Sequence, residues 1–492
     1  MKKFAIALYI GALIFSTPVY LYAQDGIETL KNIVPPDFSA VNEHGDSILY
    51  RFIQTDSNSV AVSLMMNDSA LYKTDSLVIP DTVVYNQKKY PVKQIMWWAF
   101  AYHPKHVSSI TLPRTYEGIC MDYSSNISVI HLFHPLTLAT SFQHIYVDAR
   151  NPYFMTREGV LYTKDKKGVY AYPPLNSSSY YAIEEGVEYI GEQAFLWAQN
   201  LDTLETPLSL KRIKEQGVSR SKIKEIILKD SIEYLDEFAF LNMDSLKKLI
   251  LGKGMISINS ETFYVYGDPQ KTRLDLLCYA STPPTILSSE SYHGQDVLVG
   301  TEYINLYVPR QSLKLYQQAA GWKDCASILP IEPPIVVGVD TAEVSWVQNF
   351  SATGYMWTLY LDEAKTQRFM SLTFDANGHL THIDINSSHM PERMPALYSE
   401  ESETEKHFAE YYSFTISGLS PETTYYYTRQ SLKGTEVIDE ETGSFETQSN
   451  EATGLNGYES VTPTPQKFIE NGQVYINDGN VTYNVEGAII GK

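Results

Sequence analysis

One short pattern returns along the chain at steps of 23, 22 and 23 residues, and it constrains the fold more than any other feature. In each copy an apolar residue precedes a turn-like segment, and a Leu-x-x-Leu or Leu-x-Leu segment follows. The aligned positions before the repeated aromatic or aliphatic residue are Ala194, Gly217, Ala239 and Thr262. A unit with one apolar face cannot bury that face alone, so successive units must stack and share a core. The repeat therefore predicts a solenoid.

The apolar segments inside the repeats alternate with a period of two. Ile226 and Leu228 are separated by one residue, as are Leu249 and Leu251. This spacing is typical of a short strand with one buried face. We therefore predict that each coil adds one parallel strand, about 4.8 Å from the next.

The repeats resemble a known family. The segment Ile190–Phe195 and the Leu-x-x-Ile-x-Leu segments after it are similar to the BspA-like leucine-rich repeats of exported bacterial proteins. The resemblance extends over about residues 45–332, although the stretch 114–150 departs from the repeat. Residues Asn151–Tyr162 resemble that family's hairpin insertion, and Leu306–Trp322 resemble its closing unit. The resemblance implies attachment to host matrix or to other cells.

A second domain is predicted beyond the proline-rich segment 330–334, whose stacked prolines favour an extended linker. The chain beyond it is rich in strand-like runs, and Asp375–Gly378 is typical of a turn between two of them. The segment Phe414–Tyr425 resembles the fibronectin type III pattern. In that resemblance Tyr425 is the corner tyrosine, whose hydroxyl bonds to the backbone.

The predicted fold class is mainly β with short helices: a BspA-type leucine-rich-repeat solenoid followed by a fibronectin type III-like β-sandwich. Residues Gln311–Ala320 are expected to form the helix that caps the solenoid. The predicted segments are a signal peptide (1–23), an N-terminal β-rich cap (24–94), the solenoid with its C-terminal capping helix (95–332), the β-sandwich (335–448), a linker (449–466) and a C-terminal β tail (467–492).

The N-terminus and the charge predict where the chain acts. Lys2 and Lys3 precede an apolar run and Ala23 offers a cleavage site, which is the pattern of a secretory signal peptide. We therefore predict a secreted or cell-surface protein with no membrane span in the mature chain. The formal net charge of −20 opposes binding to phosphate backbones, so nucleic acid is not a predicted partner.

Residues with chemical potential are few, and we predict no catalytic residue, no metal and no cofactor. His131 and His134 have a spacing that can bind metal, but ordinary surface or core histidines are the favoured interpretation. Cys278 is interpreted as a small buried hydrophobe. The acidic run Asp439–Glu441 is interpreted as a solvated face or a loop, not as paired acid and base groups.

One candidate partner face follows from the period-two pattern. If Ile226, Leu228 and their counterparts point inward, the residues between them point outward on the open face of the sheet. These candidate residues are Ile227, Ile250, Leu277 and Tyr307. Exposed β-forming residues and coverage by the second domain are the alternative interpretations.

The predicted function is binding of an extracellular protein or glycan. The first hypothesis is adhesion, or interaction with host or matrix proteins, through the solenoid. The alternative is a glycan or peptide capture accessory, for which Trp97, Trp98 and the many tyrosines would serve as aromatic platforms. An enzyme of unknown type is the third hypothesis, and no local motif supports it.

Overall fold

A computed structural model describes the chain from residue 36 to residue 491, except for residues 64–70, 98, 101–105, 121–133, 264–272, 289–299, 387–410, 450–465, 471–472, 478–481 and 485–488. The chain divides into two compact units, Met1–Ile331 and Glu332–Lys492. The signal peptide predicted at 1–23 lies outside the described residues, as does most of the predicted linker at 449–466. Both stay predictions.

The first part of unit 1 is built from nine strands and one short helix. They are β1 (Phe38–Val41), β2 (Ser47–Ile53), β3 (Asp56–Val62), β4 (Ser76–Val78), β5 (Thr82–Tyr85), β6 (Lys88–Met96), β7 (Ser109–Leu112), β8 (Gly118–Cys120), α1 (Pro135–Leu138) and β9 (His144–Val147). One sheet has the order β1-β2-β3-β6-β5, with β8 also paired to β6, and a second sheet has the order β4-β7-β9.

The predicted cap and the first coils share one core. Strand β6 continues across the predicted boundary at 94/95, where it pairs with β3 and β8. A single cluster of buried apolar side chains extends from Phe38 to Ala171. The N-terminal segment therefore packs as part of the repeat body.

The second part of unit 1 contains the repeats. Its elements are β10 (Phe154–Arg157), β11 (Val160–Thr163), β12 (Gly168–Ala171), β13 (Tyr180–Ala182), β14 (Tyr189–Ile190), β15 (Thr203–Glu205), β16 (Arg212–Ile213), β17 (Glu225–Leu228), β18 (Tyr234–Leu235), β19 (Lys248–Leu251), β20 (Ser257–Asn259), β21 (Leu274–Cys278), β22 (Thr285–Leu287), β23 (Ile304–Val308), α2 (Leu313–Gln318) and β24 (Ser327–Pro330). Two 3-10 turns, Thr301–Tyr303 and Arg310–Ser312, precede β23 and α2.

The hairpin insertion expected from the family resemblance is present. Strands β10 and β11 pair antiparallel, with Arg157 opposite Val160. Glu158 and Gly159 connect them and both have positive φ angles, 49° and 79°. Two successive residues with positive φ form a tight two-residue turn, and the twist of this turn matches the right-handed twist of the strands that it joins.

Each coil contributes a strand to each of two sheets. The eight-stranded sheet has the order β10-β11-β12-β14-β16-β18-β20-β22 and is parallel from β12 onward. The seven-stranded sheet, β13-β15-β17-β19-β21-β23-β24, is parallel throughout. The prediction of one strand per coil was therefore wrong. The additional strands are two or three residues long, which is too short to show a period-two pattern.

The repeat core lies between these two sheets. Ile190, Ile213 and Leu235 from the eight-stranded sheet meet Ile226 and Leu249 from the seven-stranded sheet in one buried cluster. The predicted inward direction of Ile226 and Leu228 is confirmed, because both are fully buried in this cluster.

The small residues of the repeat lie in tight, fully buried turns, as predicted. Ala194 and Ala239 are completely buried. A Cβ atom added at Gly217 would lie 2.7 Å from Cγ2 of Ile213. A larger residue there would displace the side chain that anchors the neighbouring strand.

The C-terminal end of unit 1 is capped by a helix that is shorter than predicted. The helix α2 covers Leu313–Gln318 instead of Gln311–Ala320. Its Tyr316 and the following Trp322 are buried in the repeat core, and the Trp322 indole N–H donates to the Pro284 carbonyl at 2.8 Å. Strand β24 then pairs with β23 and adds one more strand to the sheet.

The first part of unit 2, residues 332–449, contains two antiparallel sheets on one core. Its strands are β25 (Val336–Val337), β26 (Thr341–Val347), β27 (Gly354–Tyr360), β28 (Arg368–Asp375), β29 (Leu380–Ile385), β30 (Tyr411–Ser417), β31 (Thr424–Lys433) and β32 (Glu436–Glu446). The sheet β25-β26-β30 and the sheet β29-β28-β27-β31-β32 both contribute to one buried cluster, which includes Trp346, Trp357 and Phe414.

Two local predictions for unit 2 are confirmed. The turn at Asp375–Gly378 joins β28 to β29, and the Asp375 carboxylate accepts from the backbone N–H groups of Asn377 and His379. The backbone N–H of Ser420 donates to the Tyr425 hydroxyl at 2.9 Å. The assignment of the unit to the fibronectin type III class stays a prediction.

The acidic run Asp439–Glu441 is not simply a solvated face. Arg429 is buried on β31, and Glu441 lies opposite it on β32. The Arg429 guanidinium binds Asp439 at 3.2 Å and Glu441 at 2.9 Å. Alternation along β32 puts these two carboxylates on the same face of the strand, where they neutralise the buried cation.

The predicted β tail contains four strands instead of two. They are β33 (Gln466–Glu470), β34 (Gln473–Asn477), β35 (Thr482–Asn484) and β36 (Ile489–Gly491), paired antiparallel in this order. The predicted hairpin between β34 and β35 is confirmed by the pairing of Asn477 with Thr482.

Candidate binding surfaces

The predicted apolar column exists in register, but it is not exposed. Ile227, Ile250, Leu277 and Tyr307 lie opposite one another on β17, β19, β21 and β23. The side chains of Ile227 and Ile250 are each 1% exposed, that of Leu277 is 3% exposed, and Tyr307 is half-buried. The prediction of an open apolar face is therefore wrong.

Charged residues flank the column at one end. At the β15 end the column continues into Glu205, whose carboxylate pairs with Lys229 at 2.7 Å. In this conformation the column does not offer its apolar side chains to a partner, so its role as a partner face stays a prediction without an exposed surface to support it.

A different column is exposed on the eight-stranded sheet. Tyr189, Arg212 and Tyr234 are paired in register on β14, β16 and β18, and we call them the tyrosine–arginine column. Each is followed by the buried residue of its strand, so alternation points the column away from the core. The Arg212 side chain is 54% exposed and Tyr234 is 40% exposed, while Tyr189 is half-buried.

Neighbouring charges fix the side chains of this column. The Arg212 Nε donates to both carboxylate oxygens of Asp236, at 2.8 and 3.0 Å. These hydrogen bonds raise the pKa of Arg212. The Lys214 ammonium lies 4.5 Å from the centroid of the Tyr189 ring, within the range of a cation–π contact. Arg212 and Tyr189 are thus held in place, and Arg212 and Tyr234 are accessible to solvent.

Sequence reasoning missed the tyrosine–arginine column. Its signal was the residue immediately before the repeated Ile or Leu in three successive copies: Tyr189, Arg212 and Tyr234. That signal becomes visible only when this position is known to belong to a strand with an outward-facing side chain.

A cleft of about 330 Å³ lies in the first part of unit 1. The turn between β7 and β8 forms one wall, the turn between β9 and β10 forms another, and β6 contributes a lysine. The lining residues are Lys93, Arg114, Thr115, Glu117, Arg150, Pro152 and Tyr153.

A single buried asparagine holds the two turns of this cleft together. The Asn151 side-chain amide nitrogen lies 3.1, 3.2 and 2.8 Å from the carbonyl oxygens of Pro113, Arg114 and Tyr116, and its two N–H groups are shared among these three acceptors. Its carbonyl oxygen accepts from the backbone N–H groups of Tyr153 and Phe154. Asn151 is fully buried, so these bonds set the distance between the walls without competition from water.

The other residues singled out for chemistry are placed as follows. Cys278 is buried, its Sγ lies 3.2 Å from the Tyr316 hydroxyl, and burial raises the pKa of its thiol. This agrees with its interpretation as a small buried hydrophobe. Trp97 packs partly against the N-terminal core, whereas Trp98 and His131 lie outside the described residues. Among the residues that the structure does describe, no cluster of His, Cys, Asp and Glu could hold a metal ion.

His134 is a core residue, and it makes stability depend on pH. Burial lowers its pKa from 6.5 to about 3. As pH falls below 6.5 the unfolded chain binds a proton that the folded chain cannot accept until about pH 3. This contribution of His134 to the free energy of unfolding is fully present above pH 6.5. Between pH 6.5 and about pH 3 it is lost by about 1.4 kcal/mol per pH unit.

We expect His134→Phe to remove much of this acid sensitivity. Urea unfolding at pH 7.5 and about pH 4.5 should show a loss that is smaller in the variant by about 2–3 kcal/mol. His44→Gln, at an exposed histidine of the same unit, is the control and should behave as the unmodified chain does. An equal acid-induced loss in His134→Phe would contradict the assignment.

In the part of the chain that the structure describes, no helix combines the length and the apolar character that crossing a bilayer requires.

Comparisons with known proteins place the repeats. Residues 168–270 match the family model described as a BspA type leucine rich repeat region, which has six copies. A comparison with curated protein sequences found no match.

Three solved structures are similar to parts of the chain. The pneumococcal vaccine antigen PcpA is 14% identical, with 60% of this chain and 99% of that chain covered and a TM-score of 0.30. A leucine-rich repeat protein from Eubacterium ventriosum is 14% identical, with coverage of 54% and 78% and a TM-score of 0.29. A leucine rich cell surface protein from Faecalibacterium prausnitzii is 11% identical, with coverage of 60% and 95% and a TM-score of 0.26.

The tyrosine–arginine column falls inside the matched range. Its residues lie between positions 189 and 234, on three successive coils. Residues 168–270 of this chain are thus a BspA-type leucine-rich repeat region.

Proposed function

We propose that this chain is a non-catalytic binding protein that acts outside the cell, secreted or at the cell surface, and that its repeat region binds a partner protein. The observation that carries the proposal is the exposed tyrosine–arginine column within the BspA-type repeats. The signal-peptide pattern of residues 1–23 supports export. Stacked repeats in general serve as extended binding surfaces.

The residue types of the column favour a protein partner. Tyrosine and arginine are enriched among the residues that carry most of the binding energy at protein interfaces. Arg212 is already fixed by Asp236, so binding would cost little additional side-chain entropy. A folded protein buries about 800 Å² of its surface in a standard interface, and the broad outer face of a sheet can provide a contact area of this kind.

The test is binding of residues 24–492 to immobilised matrix proteins such as collagen, laminin and fibrinogen. We expect saturable binding to at least one of them, and at least a tenfold loss of affinity in a Tyr189→Ala/Tyr234→Ala double variant. Loss of two contacts of this kind corresponds to about 2–4 kcal/mol. Surface plasmon resonance measures both quantities.

The control variant is Tyr146→Ala, because Tyr146 is 41% exposed in the same unit but lies on β9, outside the column. Its affinity should equal that of the unmodified chain. Saturable binding that the double variant retains would overturn the assignment to the column. Absence of binding to every matrix protein would overturn the expectation of adhesion to the host matrix.

We further infer that unit 2 is a fibronectin type III-like β-sandwich. The strand order β25-β26-β30 against β29-β28-β27-β31-β32 supports this, together with the backbone bond from Ser420 to Tyr425. Such a domain would act as a spacer or as a second contact surface for the same partner.

The alternative function, glycan or peptide capture, is favoured by a separate observation. The cleft between the 113–117 and 148–153 turns combines an exposed aromatic ring with several hydrogen-bond donors. Sites for small ligands in general combine such features in a concavity.

A further inference from the structure

The lining of the cleft at Asn151 differs in charge from the chain as a whole. The chain has a formal net charge of −20. The cleft is lined by Lys93, Arg114 and Arg150, with Glu117 as the one acidic residue of the lining. Cations therefore outnumber carboxylates by three to one among the side chains that line the cleft.

Each cation of the cleft is held by a carboxylate. Arg150 forms a bidentate pair with Asp148, with distances of 2.9 and 2.6 Å. Arg114 Nε lies 3.6 Å from Asp81. Lys93 lies 3.2 Å from Asp56 and 3.5 Å from Glu117. These pairs restrict the long side chains before a ligand arrives, which lowers the entropy cost of binding.

The paired cations keep hydrogen-bond donors for a ligand. A guanidinium carries five N–H donors, and Asp148 occupies two of those on Arg150. The Arg150 side chain is 67% exposed and that of Arg114 is 50% exposed. A carboxylate is the group whose geometry matches such donors.

An aromatic ring stands beside these donors. Tyr153 is 50% exposed, and its backbone N–H is bound by Asn151 at 2.8 Å, so its chain position is fixed. Pro152 precedes it and lines the same cleft. A flat exposed ring next to charged donors offers an apolar surface and hydrogen bonds to the same small ligand.

We propose that this cleft binds a carboxylate-bearing sugar residue, a uronic acid within an acidic polysaccharide. Its carboxylate would bind Arg150 and Arg114, and its ring would pack on Tyr153. The three cations stand among four carboxylates (Asp56, Asp81, Glu117 and Asp148), for a local total of −1. Binding of the ligand carboxylate would therefore depend on short hydrogen bonds from the free N–H donors of Arg150 and Arg114, and not on a net positive charge.

The size of the cleft agrees with this ligand. Its volume of about 330 Å³ is at the lower end of the usual ~300–1,000 Å³ range for small-molecule sites. It therefore suits a short glycan segment. The site shares no residue with the tyrosine–arginine column, so this proposal does not depend on the proposed protein binding.

The experiment is calorimetric titration of residues 24–492 with an oligogalacturonide and with the methyl ester of the same oligosaccharide. The ester keeps the rings and removes the charge. We expect the acid to bind and the ester to bind at least tenfold more weakly. Affinity for the acid should also fall as NaCl is raised from about 50 to 500 mM, because the cations are exposed.

Two variants locate the binding. Arg150→Gln and Tyr153→Ala should each weaken binding of the acid at least tenfold, and thermal unfolding shows whether each variant is folded. Arg157→Gln is the matched control, because Arg157 is an exposed arginine paired with a carboxylate, Glu184, outside the cleft. It should bind as the unmodified chain does.

Three results would overturn the proposal. They are no binding of the acid at millimolar concentration, equal affinity for acid and ester, and binding that Arg150→Gln leaves unchanged. Equal or tighter binding of a polyglutamate peptide in the same assay would assign the cleft to acidic peptides and also overturn it. Failure of the column variants against matrix proteins would leave each of these results unaffected.

Discussion

Replacing Asn151 with alanine is expected to lower the free energy of unfolding of unit 1 by about 4 kcal/mol. Asn151 is fully buried and bonds three carbonyl oxygens and two backbone N–H groups. Alanine would remove about four hydrogen bonds, because the amide has two N–H donors for the three carbonyls, and a buried group that loses its partner costs about 1–3 kcal/mol. Entry of water into the new space would recover part of the loss.

Urea unfolding followed by circular dichroism measures this effect. Asn200→Ala is the matched control, because the exposed Asn200 amide also donates to backbone carbonyls, those of Leu175 and Asn176. It should cost less than about 1 kcal/mol. A loss of the same small size for Asn151→Ala would mean that the two turns hold each other without the asparagine.

Replacing Trp322 with alanine is expected to cost about 3–5 kcal/mol and to loosen the C-terminal end of the repeats. Trp322 is almost completely buried, packs edge-on against Tyr316 with ring centroids 5.6 Å apart, and donates to Pro284. Its removal leaves a cavity beneath α2. Hydrogen exchange should then become faster in β23, β24 and α2, and change less at β14 and β16.

Trp322→Phe separates packing from hydrogen bonding. It retains most of the ring volume and loses the indole N–H, so a cost of about 1–2 kcal/mol is expected. Uniformly faster exchange across all coils in Trp322→Ala would contradict a role confined to the cap. It would show instead that the repeats unfold as one cooperative body.

The repeat pattern was sufficient to predict the stacked coils. A unit with one apolar face has few ways to bury it, so the spacing of Ala194, Gly217 and Ala239 already implied stacking. The same reasoning identified Ile226 and Leu228 as core residues, and both are buried. The hairpin at residues 154–163 followed from the family resemblance.

The candidate surfaces were beyond the reach of the same patterns. The cleft brings together Lys93, Arg114 and Arg150, which are far apart in the chain, through an asparagine that no local motif marks. The second sheet was missed because strands such as Tyr189–Ile190 are two residues long, and the tyrosine–arginine column was missed with it. The pairing of Arg429 with Asp439 and Glu441 likewise depends on the register of β31 against β32.

The sequence by itself determined which residues share a face, and the tertiary structure decided which faces meet water. Ile227, Ile250 and Leu277 were correctly aligned with one another, yet they are buried, while Arg212 and Tyr234 are exposed. Periodicity depends only on the alternating side chains of a single strand, so it can be recognised from a short stretch of sequence. Solvent exposure depends on everything that packs nearby, and only the folded chain sets those neighbours.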